Sequence, residues 1–279
     1  MSSKSIQGTG GAGRAGDKVF SGITLLAGCL ILTVLFAVAA FLLWQALPTF
    51  TASSDDISGG SGFLTYIFPL VIGTVIAAAI ALLIATPVGI GVALFISHYA
   101  PRRLAQGLGY VVDLLAAIPS VVYGAWGMTV LAPALVGPYN WLAENAGWFP
   151  LFTGPASQTG KTMLTAGIVL SVMVLPIITS LSREIFLQTP KLHEEAALAM
   201  GATRWEMIRM AVIPFARPGI ISAVMLGLGR ALGETMAVAL VLSSGGLIAS
   251  LIRPGNQTIA AEIALNFPEA YGLRLSELI

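Results

Sequence analysis

The length of its uncharged apolar runs constrains this chain more than any other feature. No charged residue interrupts Val19–Trp44, and none interrupts Tyr66–Ser97. About 20 apolar residues are enough to carry a helix through the hydrocarbon core of a bilayer. Composition agrees: 56% of residues are hydrophobic and only 10% charged, against roughly 25% charged in soluble domains. The expected fold class is therefore all-α and polytopic, because a lone backbone in lipid must satisfy its own hydrogen bonds as helix. A net charge of +1 leaves no electrostatic footprint for nucleic acid. The single cysteine, Cys29, excludes a disulfide within the chain and reads as packing. The first apolar run is too long for a signal core and no small-residue cleavage site follows it soon after, so no cleavable signal is expected.

Five spans are expected, at about Lys18–Trp44, Tyr66–Ser97, Leu104–Leu131, Thr162–Leu181 and Pro218–Leu242. Residues 1–17 read as a disordered cytoplasmic tail, 18–65 as the first transmembrane helix and an outer loop, and 66–279 as the core. The glycine run at 8–13 formally matches a dinucleotide fingerprint, but no strand precedes it, so it reads as flexible tail. Pro87, Gly89 and Gly91 suggest a kink in the second span, Pro119 with Ser120 an interruption of the third, and Pro176 a kink in the fourth. Residues 45–64, with Asp55 and Asp56, read as a polar loop. Residues 132–161, with Trp141 and Trp148, read as a short interfacial helix with turns. Residues 243–272 read as a further polar loop; its Asn256-Gln257-Thr258 matches a glycosylation acceptor, which carries little weight if the chain is bacterial.

Basic residues set the expected orientation. Lys4, Arg14, Lys18, Arg102, Arg103, Arg183, Lys191, Arg204, Arg209 and Arg217 fall in the tail and two loops, whereas the other loops hold only Lys161 and Arg253. The N-terminus and those two loops are expected on the cytoplasmic side of the membrane. Leu273–Ile279 then reads as the start of a sixth span, truncated or just begun.

The loop at 183–217 has the most informative pattern. Leu192–Met200 is rich in helix formers with Glu near its start. Gly201 punctuates it, and Thr203-Arg-Trp-Glu206 is a capping box for a second short helix expected to end before Pro214. Ala196, Ala197 and Ala199 would leave room for a partner's side chains. No nucleophile, base or metal constellation accompanies them. His193-Glu194 lacks the second His of a zinc motif, so neither a catalytic residue nor a metal is expected.

The spacing Glu195-Ala196-Ala197, Gly201, Ile213-Pro214 resembles the coupling loop of the permeases of binding-protein-dependent ABC importers, with Ala211 and Ile213 as mild departures. Ile118-Pro-Ser-Val-Val-Tyr-Gly and Arg230-Ala-Leu-Gly-Glu-Thr-Met-Ala-Val resemble the phosphate-specific members. Thr-Met-Ala-Val after Glu234, and Gly-Asp-Lys-Val-Phe before the first span, are closer to their PstC-type than their PstA-type subunits. The resemblance implies a type I ABC importer transmembrane domain working by alternating access. It implies as partners a homologous PstA-like permease, two PstB-like ATPase subunits, an extracytoplasmic PstS-like phosphate-binding protein and membrane lipid. It also implies that Glu195, Ala196, Ala197, Gly201 and Pro214 serve ATPase coupling. The chain has no Gly-rich Walker loop, so ATP and Mg would be bound by the partner and no cofactor by this chain.

Arg230 and Glu234 lie four apart, on one face of a continuous fifth helix as the sequence reads. A charge in mid-membrane costs about 2.5–3.5 kcal/mol on insertion scales, while a helical ion pair returns only about 0.2–0.5 kcal/mol in water. Stability alone does not place both there. Arg230 offers a planar fork of donors to phosphate oxygens, and Glu234 would hold it in their absence. A structural ion pair against another helix is the plainer alternative. Asp113, Ser120 and Thr235 complete the candidate pathway. A permease for sulfate or molybdate, an ion-coupled secondary transporter and an intramembrane enzyme are the competing classes. The second lacks paired broken segments in the sequence, and the third lacks a catalytic constellation.

Overall fold

The computed structural model describes the backbone of residues 12–279 apart from 54–56, 58, 59, 61, 244 and 247, and side chains from residue 16 onward. Asp55 and Asp56 lie outside the described residues, as do Lys4, the Arg14 side chain and positions 1–11 of the glycine-rich tail. From Ala12 onward the expected tail is already helix.

Among the described residues, twelve α-helices follow in order: α1 Ala12–Thr51, α2 Phe63–Leu94, α3 Arg102–Ala116, α4 Ser120–Trp126, α5 Ala132–Asn145, α6 Met163–Leu187, α7 Lys191–Ala199, α8 Arg204–Met207, α9 Ile213–Leu232, α10 Met236–Val241, α11 Ile259–Asn266 and α12 Leu273–Leu278. No strand occurs among the described residues. Among the described residues, five helical rods are long and apolar enough to cross a membrane: 16–51, 63–99, 120–145, 163–187 and 204–232.

The number of spans matches the sequence reading, but two are displaced. The third begins at Ser120, not Leu104. Pro119 in extended geometry (φ −58°, ψ 138°) separates it from α3, which stands apart as an amphipathic helix. The expected outer loop at 132–161 is shortened accordingly, because α5 continues that span to Asn145. The fifth rod begins at Arg204 and runs through Pro214, so the short helix expected to stop before that proline does not stop.

A five-residue π-turn explains the continuity. Proline donates no N–H and its ring presses on the carbonyl four residues back. The helix opens by one residue instead, and Ile213 N–H reaches Ile208 O. The same device recurs twice: Ala132 N–H bonds Gly127 O ahead of Pro133, and Ala100 N–H bonds Phe95 O ahead of Pro101. Each proline is thus preceded by a widened turn.

The bundle is built around α6, the most enclosed span, packed against α2 and α9. On α2 a small residue recurs every fourth position, at Gly73, Ala77, Ala81, Ala85, Gly89 and Ala93, and all six are buried. Small side chains at this spacing bring two helix backbones close, which matters in lipid, where apolar contact alone drives little association. The fit is tight: a Cβ on Gly89 would meet Ile178 at 3.0 Å, and one on Gly167 would meet Ile80 at 2.5 Å. Ala81 is fully buried. Ala81→Leu overpacks this seam and should cost about 1–3 kcal/mol, read as a lower midpoint in thermal unfolding of the detergent-solubilised complex; an unchanged midpoint contradicts the seam.

α1 stands outside this bundle. Its membrane-length window has no buried residue; it meets α12, and its Phe50 ring packs edge-on against Phe63 of α2. Arg274 of α12 bonds Glu262 and Glu277 at 2.9 Å each and donates to the Tyr66 hydroxyl, tying α2, α11 and α12 together.

The segment after α10, expected as a polar loop, is folded in. Ile252 is fully buried, and its carbonyl accepts from Ser157 N while Leu251 O accepts from Leu164 N. Asn256 is 2% exposed at φ 60°. Its amide both accepts from Ile248 N and donates to Ile248 O. The glycosylation match is therefore sealed by folding.

Candidate functional site

Two sites carry the chemistry, one at the basic end of the bundle and one where two helices break.

At the basic end, α7 and α8 form the expected knuckle. Thr203 Oγ1 accepts from Glu206 N, and Glu206 reaches back to Thr203 N at 2.8 Å, completing the capping box. Gly201 joins the helices at φ +86°, with open space where a side chain would go. Glycine adopts this left-handed geometry without the Cβ penalty of other residues. Beneath the knuckle Ala197, Met207, Ile208 and Val212 pack on Ala93 and Leu94 of α2 and Phe186 of α6. The knuckle is thus seated on the ends of two spans. His98, in the π-turn that follows α2, adds a side-chain link: its Nε2 lies 3.6 Å from Glu194 of α7, and its ring packs edge-on against Phe186.

The outward face mixes charged residues with large exposed apolar side chains. Leu192 is 74% and Met200 80% exposed, and Leu198, Trp205 and Met210 are exposed beside them. An apolar patch of this kind marks a contact surface. Glu195, Ala196 and Gly201 lie on the exposed side. Ala197 does not: at 5% exposure it packs inward, so it seats the knuckle and leaves no room for a partner, contrary to the sequence reading. Pro214 lies inside the continuous rod and lines the shallow apolar cleft with His193, Ala196 and Met210.

The second site corrects the sequence reading of one unbroken fifth helix. α9 ends at Leu232, Gly233 N closes its last turn on Gly229 O, and α10 starts only at Met236. Gly233 has poor helix propensity. Glu234 uses its side chain locally, accepting from Ala237 N at 3.1 Å, so it caps α10 instead of pairing across a turn. Arg230 and Glu234 form no ion pair, and no carboxylate pairs with Arg230 among the described residues. Arg230 remains exposed on the last turn of α9, where a cation suits the helix dipole.

This break meets the other one. A Cβ on Gly124 of α4 would lie 2.6 Å from Ala237 Cα, so α4 and α10 touch at backbone distance. Tyr123, which the sequence reading passed over, donates to Leu115 O across the α3–α4 break and lies within electrostatic range of Arg230. Ser120 opens α4 one turn away, and Thr235 precedes α10; neither side chain makes a hydrogen bond among the described residues. Four of the five expected pathway residues therefore gather at the α4–α9–α10 junction. Asp113 does not join them. It lies on α3 and faces Arg183 of α6 at 3.7 Å. The sequence shows no paired broken segments because the fifth span reads as unbroken and α3–α4 as one span interrupted at Pro119; in the fold two interruptions face one another. Broken backbone at membrane depth is tolerated only against protein or a water-filled cavity.

No group of three or more potential metal ligands occurs among the described residues.

Residues 85–275 match the family described as the binding-protein-dependent transport system inner membrane component. The chain is 45% identical over 262 residues to the phosphate transport system permease protein PstC 2 of Mycobacterium tuberculosis, covering 90% of this chain and 81% of that one. It is 42% identical over 270 residues to PstC of Mesorhizobium japonicum, covering 92% and 81%, and 35% identical to PstC of Haemophilus influenzae, covering 94% and 86%. A solved bacterial ABC transporter involved in alginate import aligns at TM-score 0.48 and 18% identity over 95% of this chain and 91% of that chain, a likeness too loose to argue from. Family match, helical spans and knuckle agree: the chain belongs to the inner-membrane permeases of binding-protein-dependent ABC transport systems, in their PstC family.

Proposed function

We propose that this chain forms half of the membrane passage of an ATP-driven phosphate importer and couples that passage to a separate ATPase. Its relatives are named for phosphate transport, which supports the substrate. The observation that carries an anion passage is Arg230. Its guanidinium is exposed beside two helix interruptions with no carboxylate paired to it among the described residues, and its donor fork suits a tetrahedral oxyanion. Ser120 and Thr235 offer hydroxyls on either side, and Glu234 holds the α10 end of the break in place.

The exposed surface bearing Leu192, Met200 and Trp205 is the one proposed to dock in the ATPase, with Glu195, Ala196 and Gly201 on the contact side. ATP and Mg belong to that partner. ATP-driven closure of the ATPase dimer would push the knuckle, and the packing of Ala197 and Met207 under α2 and α6 would pass the motion to the spans. The loops bearing Arg102, Arg103 and the knuckle are assigned to the cytoplasm by their positive charge, with the N-terminus on the same side. A homologous PstA-like permease would complete the passage, and a PstS-like protein would deliver phosphate from outside.

Reconstitution into proteoliposomes with the ATPase, second permease and binding protein tests this. ATP-dependent uptake of labelled phosphate with no uptake of labelled sulfate or molybdate is expected. Uptake of sulfate in preference to phosphate assigns another oxyanion, and uptake without ATP rejects ABC coupling.

A further inference from the structure

A cavity of about 600 Å3 opens at the basic end between the end of α2, the polar side of α3, the end of α6 and the first residue of α7. It is separate from the Arg230 junction. Arg102, Arg183 and Lys191 line it, against the single carboxylate of Asp113. We propose that this cavity binds a phosphate oxyanion, supplied either by the headgroup of an anionic phospholipid or by free inorganic phosphate.

The built feature is Arg183. Its contact with Asp113 is 3.7 Å, long beside the roughly 2.7–2.9 Å of a charge-assisted hydrogen bond. Its Nε is buried and has no partner among the described residues. A guanidinium carries five donors, and a buried donor left unmade carries a desolvation penalty. The Nη groups make no hydrogen bond among the described residues, and with the side chain 21% exposed they remain for an acceptor. Gly109 makes the placement possible: a Cβ there would collide with Arg183 Nη1, so only glycine lets the guanidinium lie across α3.

The surroundings fit the same ligand. Gln106 adds a neutral amide to the wall, and Tyr110, 76% exposed, stands at the rim, where an amphipathic ring suits headgroup level. Along α3, Arg102, Gln106, Gly109 and Asp113 recur at helical spacing, and Leu104, Leu108, Val111 and Leu115 occupy the opposite face. Such a helix is suited to the membrane interface. The cavity also lies where two spans end, at Ile96–Ser97 and at Arg183–Leu187. Basic pockets between spans at that level accept lipid phosphates.

The test uses the assembled transporter, delipidated in neutral detergent. In one arm, native mass spectrometry measures retention of phosphatidylglycerol against phosphatidylcholine. In the other, inorganic phosphate is titrated on an Arg230→Gln background, which removes the proposed passage site. Preferential phosphatidylglycerol retention that drops about fivefold for each of Lys191→Gln and Arg102→Gln identifies a lipid source. Equal lipid retention, with phosphate binding lost in the same variants, identifies free phosphate. Both support the site. Arg183→Gln should abolish either signal, and because it also unpairs Asp113 the two rim variants carry the decision. Phosphatidylglycerol and phosphate binding that are both unchanged in Lys191→Gln and Arg102→Gln overturn the proposal.

Discussion

Arg230→Gln should leave the complex assembled and its ATPase active, and should lower phosphate uptake by two orders of magnitude or more. The expectation of normal assembly follows from geometry. Arg230 is exposed on the last turn of α9 and pairs with no carboxylate among the described residues, so its loss strands no buried charge. The expected size of the transport defect follows from chemistry. A bidentate, charge-assisted contact is about twice as strong as a neutral hydrogen bond, and each 1.4 kcal/mol is a factor of ten (about 2.7 kcal/mol gives 100-fold). Arg230→Lys keeps the charge but not the fork and should fall between the two. Glu234→Gln should be mild by comparison, since a Gln oxygen can still accept from Ala237 N. A Glu234→Gln defect as deep as that of Arg230→Gln would favour an ion-pair mechanism over a cap. Uptake is measured with labelled phosphate in proteoliposomes, and assembly by size-exclusion chromatography.

Gly201→Leu should separate ATP hydrolysis from transport, or release the ATPase altogether. At φ +86° a side chain costs about 1–2 kcal/mol of backbone strain, and leucine also projects into the open face proposed for docking. Gly201→Asn distinguishes the two effects, because Asn tolerates left-handed geometry better than other residues with a side chain. Coupling kept in Gly201→Asn and lost in Gly201→Leu points to bulk at the contact, while loss in both points to the angle of the knuckle. ATPase stimulation by substrate-loaded binding protein, with pull-down of the ATPase, reads both. Unchanged stimulation in Gly201→Leu rejects docking there.

Much of this molecule is legible in the sequence for a plain reason: long apolar runs can only be helices in lipid. The knuckle is legible too, because a capping box and a punctuating glycine are local signals, and Thr203, Glu206 and Gly201 behave as those signals dictate. What the sequence hides is non-local. Pro214 reads as a stop, but a π-turn carries the helix past it. Pro119 reads as an interruption within one span, but it opens α4 and leaves α3 a separate helix. Arg230 and Glu234 look like one face until Gly233 and the Glu234 cap divide the helix. The direction in which Ala197 faces depends on the partners packed beneath it, and periodicity in a nine-residue helix cannot reveal them. The seam from Gly73 to Ala93 was available as a four-residue repeat, though only the fold shows that α6 fills it. Asp113 and Arg183 are seventy residues apart (183 − 113), so their pairing leaves no local trace.

Cysteine accessibility at the helix junction tests the central claim most directly. With Cys29→Ser as background, single cysteines at Ser120 and Thr235 are exposed in assembled proteoliposomes to a membrane-impermeant thiol reagent applied from one side at a time. The account predicts labelling from the knuckle side without nucleotide and from the opposite side when the ATPase is trapped closed with ATP and vanadate. Labelling from neither side, or from the same side in both states, would contradict it.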